Sequence, residues 1–130
     1  MDIDDLVVLA TEQARVSGFT KPGVGRAVSE HAALLHSEVS EMFEAHRDGL
    51  APADFWYEHR GHELSQHPEN EERELGKPVG IPSELADLVI RVCNMAGEYH
   101  IDLGRAVEEK MAYNVTRPKY HGRRGDAAAG

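Results

Sequence analysis

Residues 82–99, PSELADLVIRVCNMAGEY, constrain the fold more than any other stretch of the chain. At about 100° per residue, Leu85, Leu88, Val89, Val92, Met95 and Ala96 fall on one side of a helix. Glu84, Asp87, Arg91, Asn94 and Glu98 fall together on another. A helix with that wide apolar face must pack against other helices. The sequence supplies three: residues 3–17, with Ile3, Leu6, Val7, Ala10 and Ala14 at helical spacing; residues 26–47, with Val28, Leu35, Val39, Met42 and Phe43; and a segment from the cap Asp102 to about Val115, with Leu103, Ala106, Val107, Lys110, Met111 and Asn114. The expected class is all-α and four-helix bundle-like.

The punctuation agrees with that reading. Gly18, Pro22, Gly23 and Gly25 make residues 18–25 a loop, Gly49 stops the second helix, and Pro82-Ser83 suit the first turn and cap of the third. Pro118 prevents clean continuation of the fourth. Between the second and third helices, residues 48–80 are rich in Pro, Gly, His and Glu and read as a solvated excursion. Phe55-Trp56-Tyr57 is its apolar exception, expected to dock on the helices, with a short β-ribbon possible between it and Lys77–Ile81. One domain over residues 1–122, with 48–80 as an irregular insert, and a fraying tail over 123–130 complete the expectation.

Composition narrows the function. The formal charge of −9 opposes binding of a nucleic acid polymer, which needs a positive field, but permits a phosphorylated small molecule beside a bound cation. Cys93 is the only cysteine, so no intrachain disulfide or cysteine-rich zinc site can form. An acidic N-terminus unlike a signal peptide and the lack of a long apolar run imply no membrane span and a reducing, cytoplasmic setting.

The chemistry-bearing candidates are carboxylates. Glu38 and Glu41 on the second helix and Glu84 and Asp87 on the third share a three-residue spacing, which places each pair on one helical face. The spacing alone is cheap, since Asp2/Asp5, Glu41/Glu44, Glu69/Glu72 and Glu71/Glu74 repeat it. Glu84 in a first turn is also explained by the helix dipole. Position carries more weight. Glu38 lies about 40° from Met42, at the edge of the apolar stripe, where a carboxylate needs a partner. Its own helix offers few cations nearby, so a divalent ion is the natural one. All-oxygen ligands favour Mg²⁺, or Mn²⁺, over zinc. A di-iron bundle would need Glu-x-x-His pairs, and the chain contains none.

A basic stripe complements the acids. Lys110, Asn114 and Arg117 follow i, i+4, i+7 spacing beside Tyr113, a set suited to a polyphosphate; a solvated helix end is the plainer reading of the same residues.

Together these segments resemble a known family. Glu38-Val-Ser-Glu41 followed by Glu84-Leu-Ala-Asp87 is similar to the E-x-x-E … E-x-x-D signature of the MazG-like all-α nucleoside triphosphate pyrophosphohydrolases, relatives of dimeric dUTPases and dCTP pyrophosphatases. His36–Glu41, Gly80–Asp87, Ile101-Asp-Leu103, Glu109–Asn114, Arg117-Pro118 and His121-Gly122 extend the resemblance over about residues 26–122, toward the short phage and actinobacterial members. The resemblance implies Mg²⁺-dependent cleavage of a (deoxy)nucleoside triphosphate to its monophosphate and pyrophosphate. It implies Glu38, Glu41, Glu84 and Asp87 as metal ligands, with Glu41 also activating water, and Lys110, Asn114 and Arg117 as contacts to phosphate or nucleoside. It further implies a homodimer or homotetramer. The gap between Glu41 and Glu84 is longer than in compact members, the excess being the 48–80 excursion. That insert is either a lid offering Trp56 and Tyr57 to a base or, the favoured reading, a loop whose aromatics pack. Two alternatives stay open: a non-catalytic helical interaction module, and a homologue that senses nucleotides without turnover.

Overall fold

The computed structural model describes residues 1–20 and 25–117. The expected tail, and residues 21–24 of the first loop, lie outside them. The described chain is mostly helical, with a small antiparallel sheet: α1 (Ile3–Val16), α2 (Val28–Arg47), β1 (Trp56–Glu58), β2 (Leu64–Ser65), β3 (Lys77–Val79), α3 (Ile81–Glu98) and α4 (Leu103–Thr116). No helix among the described residues is long and apolar enough to cross a membrane.

Local chemistry explains most of the boundaries. Asp2 and Asp5 close a reciprocal cap on α1: Asp5 N–H donates to Asp2 Oδ1 at 2.8 Å and Asp2 N–H donates to Asp5 Oδ2 at 3.3 Å. Asp102 caps α4 by accepting from Arg105 N–H at 3.1 Å. At the end of α2 the chain reverses through Gly49, at φ +89°, where left-handed backbone suits glycine.

Two boundaries differ from expectation. α2 begins at Val28 rather than Arg26, because Ala27 is extended (φ −65°, ψ 154°); just ahead of it the Arg26 N–H donates to the Glu98 carboxylate at 3.0 and 3.1 Å. Ser83 does not cap α3. The helix already starts at Ile81 after Gly80, so Ser83 sits inside the first turn and its hydroxyl donates to the Pro78 carbonyl at 3.1 Å.

The excursion is built rather than merely solvated. β1 is the central strand of order β2-β1-β3, pairing Trp56 with Val79 and Glu58 with Lys77 on one side and Tyr57 with Ser65 on the other. The ribbon between Trp56 and the segment leading into α3 is therefore present, with β2 added at its outer edge. The acidic run folds into a turn about Asn70, whose Oδ1 accepts from both Glu72 and Glu74 N–H at 2.9 Å. Gly80, at φ +95° and buried, turns β3 directly into α3 and so fixes where Glu84 and Asp87 are presented.

α3 packs against both α1 and α2, while α4 packs on α1. The core is small-residue: Ala10, Ala14, Ala45, Cys93 and Ala96 are buried. Small side chains let the helices approach closely, and at Gly97 there is no room for a Cβ beside Thr11. The cost is that larger apolar side chains stay outside. Phe43 is 59% exposed, and Leu85 and Val89 are each 46% exposed, so the apolar faces of α2 and α3 are only partly covered within one chain.

Candidate functional site

Glu38 sits on the α2 face turned to α3 and is only 5% exposed. Glu84 and Asp87 stand on the first two turns of α3, delivered there by the β3–Gly80 turn. One carboxylate oxygen from each of Glu38, Glu84 and Asp87 lies within 4.8 Å of the others, the one such group among the described residues. Glu41, one turn along α2 and exposed, lies outside that group. It is close enough to share a hydrogen bond with Glu38.

The electrostatics are those of crowded, incompletely compensated acids. Hydrogen bonding to Glu38 and the charge of Glu38 raise Glu41 above the ordinary carboxylate range, with smaller contributions from burial, Asp87 and Glu44. Burial raises Glu84, reinforced by Glu41, Asp87 and Glu38. Burial also raises Asp87, with Glu38 adding to it and Arg91 and Lys77 opposing. With every acid ionised, Glu38 Oε2 and Glu84 Oε2 are buried without a hydrogen-bond donor among the described residues, and only a protonated Glu41 would bring one to Glu38. Such oxygens are costly unless something supplies positive charge.

Hard divalent cations fit that donor set. Opposed oxygens around Mg²⁺ stand about 4.1 Å apart, so a group already gathered within 4.8 Å needs only small side-chain rotations to close on one. The orphaned oxygens are the positions such an ion would satisfy.

Beside the acids opens a cavity of about 400 Å³, bordered by Gln13, Phe19, Glu38, Asp87, Arg91 and Asn94 among others. Its size is that of a small-molecule site. Asn94 Oδ1 is buried there without a partner among the described residues, and the Arg91 guanidinium lies 5.9 Å from the centre of the Phe19 ring.

Comparison with protein-family models, with curated proteins and with solved structures returns no match.

The four sequence-derived acids are thus neighbours, three of them in one cluster. Lys110, Asn114 and Arg117 form a separate group on α4. Lys110 and Arg117 flank the Tyr113 ring at 5.7 and 6.0 Å, and Arg117 donates to Asn114 Oδ1 at 3.3 Å. None of the three borders the cavity. Of the aromatic cluster expected to dock on the helices, Trp56 is half-buried in β1, with no acceptor for its indole N–H among the described residues, while Phe55 is 63% exposed.

One step of the sequence reasoning needs correction. Glu38 does have a basic partner: Arg91 Nε donates to its Oε1 at 2.7 Å. It comes from α3, so a search along α2 misses it. Arg91 follows Asp87 by one helical turn on the polar stripe, and that was the available signal. A second pair, His31 with Glu98 at 2.6 Å, likewise joins residues far apart in the sequence.

The raised acids make stability pH-dependent with a definite sign. Unfolded carboxylates lose their protons near pH 4, whereas Glu41, Glu84 and Asp87 keep theirs to higher pH in the fold. Above pH 4 the native state then binds more protons than the unfolded one, so stability falls as pH rises through that window. Glu98 does not offset this. Burial opposes its ionisation, but hydrogen bonds from His31 and Arg26 outweigh it and place Glu98 below the ordinary range, so its contribution is complete once unfolded carboxylates are ionised, above about pH 5. The melting temperature of metal-free protein is expected to drop as pH is raised above about 5, with Mg²⁺ restoring it at neutral pH and Glu84→Gln flattening the slope. A melting temperature that climbs over that range and ignores Mg²⁺ contradicts the electrostatics.

Proposed function

We propose that the chain is a Mg²⁺-dependent nucleoside triphosphate pyrophosphohydrolase, producing a monophosphate and pyrophosphate from a (deoxy)nucleoside triphosphate. The observation that carries the reading is the meeting of Glu38, Glu84 and Asp87 from two helices, two of their oxygens buried and unpartnered, at the mouth of a ligand-sized cavity. Glu38, Glu84 and Asp87 would hold the ion, and Glu41 would complete the set from the rim. When bound, Mg²⁺ supplies charge neutralisation at the phosphates and a more acidic water.

The chain's own residues do the rest. Glu41 is exposed and its carboxylate is pushed toward higher pKa, so it is the group suited to accept a proton from attacking water. Phe19 offers the cavity an aromatic face, and Gln13 and Asn94 offer amides that can hydrogen-bond a nucleoside. Lys110, Asn114 and Arg117 are assigned to phosphate, through a neighbouring subunit of a homodimer or homotetramer whose contact would cover the exposed faces of α2 and α3. In this reading the fold is an all-α, four-helix pyrophosphohydrolase carrying the β-ribbon as its insert, and the setting is the cytoplasm.

The exposed Phe43, Leu85 and Val89 favour a second reading, a helical interaction module without catalysis. Calorimetry with a non-hydrolysable triphosphate analogue separates the two. Binding that requires Mg²⁺ supports the enzyme. Absence of Mg²⁺-dependent binding for every base supports the module.

A further inference from the structure

We infer that Arg91 is a built-in placeholder for the divalent cation, holding Glu38 before the metal binds and yielding it when the metal arrives, so that the freed guanidinium turns to an anionic group in the cavity. This rests on reading the acidic cluster as a metal centre.

Glu38 is the most buried acid of the cluster, and a charge so placed must be compensated in the absence of metal. Arg91 provides that compensation in a form made to be released. It engages Glu38 through Nε alone, at 2.7 Å, rather than through the two-pronged contact a permanent Arg–carboxylate pair favours. Its remaining guanidinium donors bond no protein acceptor among the described residues. Its side chain is 24% exposed against 6% for Glu38, so it approaches from the cavity side, where it also faces the Phe19 ring. Glu38 Oε2, the oxygen Arg91 leaves alone, is the unpartnered one.

A dication drawn in by that oxygen and by Glu84 and Asp87 would sit beside the guanidinium. Two positive groups on one carboxylate at that range repel each other, which favours release of the guanidinium. Arg91 can yield by rotating into the cavity it already borders. There its planar fork matches a phosphate. Metal binding and anion binding are then coupled through one side chain, each favouring the other.

Arg91→Gln removes the positive charge while keeping a neutral donor for Glu38, and Arg91→Lys keeps the charge. Mn²⁺ binding, followed by electron paramagnetic resonance at fixed ionic strength without nucleotide, is expected to tighten at least tenfold in Arg91→Gln and to stay within about threefold of wild type in Arg91→Lys. In the same variants, an α,β-methylene triphosphate should bind wild type and Arg91→Lys more tightly with Mn²⁺ than without, the gain shrinking at least tenfold in Arg91→Gln. A merely structural ion pair predicts the reverse for the metal, since loosening Glu38 weakens the site. Equal or weaker Mn²⁺ binding in Arg91→Gln overturns the inference while leaving the metal centre intact. No Mn²⁺ binding by wild type overturns both. If Arg91→Gln is unfolded without metal, refolding at Mn²⁺ concentrations below the wild-type Kd supports the inference, and failure to refold there overturns it.

Discussion

Asp87→Asn is expected to lower Mg²⁺-dependent pyrophosphate release by at least about a hundredfold, while raising the thermal stability of the metal-free protein at neutral pH. Perturbing groups that merely support metal ligands costs about 10- to 100-fold, so loss of a ligand should exceed that. The stability gain has a separate origin. Burial and the charge of Glu38 hold Asp87 above the ordinary carboxylate range, so its ionised form is disfavoured in the fold. A neutral amide of the same shape relieves that. The opposite signs make the variant diagnostic, since a residue important only for folding would lose both. Glu41→Gln is expected to match the loss of turnover while weakening Mg²⁺ binding less than Asp87→Asn does, because Glu41 completes the set only from the rim of the group formed by Glu38, Glu84 and Asp87. Full activity in either variant, measured by pyrophosphate release, removes that residue from the site.

Glu98→Ala is expected to cost about 3 kcal/mol of stability, near 10 °C in melting temperature for a domain of this size. Glu98 accepts from His31 Nε2 at 2.6 Å and from the Arg26 N–H through both oxygens, at 3.0 and 3.1 Å. His31 is buried, its ring edge-on to Tyr99 at 5.9 Å, and the Tyr99 hydroxyl donates to the Arg26 carbonyl at 2.7 Å. Truncating Glu98 leaves a buried imidazole and a backbone N–H without an acceptor. It also frees the segment that leads into α2, which ties the expected loss to the position of Glu38 further along the same helix. Urea unfolding of Glu98→Ala, His31→Ala and the double variant checks this. The two single losses should not add. A loss below about 1 kcal/mol in Glu98→Ala would mean that the pair is incidental.

Periodicity made the helices legible. The apolar spacing of residues 3–17 and 82–99, the Asp102 cap and the Gly49 stop all describe structure decided within a few residues of chain. The ribbon was no more than a possibility in the sequence, because its pairing of Trp56 with Val79 and Glu58 with Lys77 joins segments about twenty residues apart. What stayed hidden is decided between distant segments. Arg91 meets Glu38, and Glu98 meets both His31 and Arg26, across fifty or more positions. Helical spacing says which face a side chain shares and nothing about what arrives opposite. Glu98 also ties the Arg26 N–H just ahead of α2, a contact that no local pattern announces.

The recurring acid-x-x-acid spacing shows the same limit from the other side. Asp2 and Asp5 cap a helix, and Glu72 and Glu74 donate their N–H groups to a turn about Asn70, yet at Glu84 and Asp87 the pattern joins a buried Glu38. Burial at a helix seam separates the third case from the others, and only for Glu38 did the sequence signal it.

Product identification tests the central claim most directly. The protein is incubated with Mg²⁺ and each of a panel of nucleoside and deoxynucleoside triphosphates, and the products are resolved by chromatography and phosphorus NMR. The account predicts nucleoside monophosphate and pyrophosphate in equal amounts for at least one substrate, abolished by chelation of the metal and by Asp87→Asn. Diphosphate with orthophosphate, or turnover indifferent to Mg²⁺ and to Asp87, would contradict it.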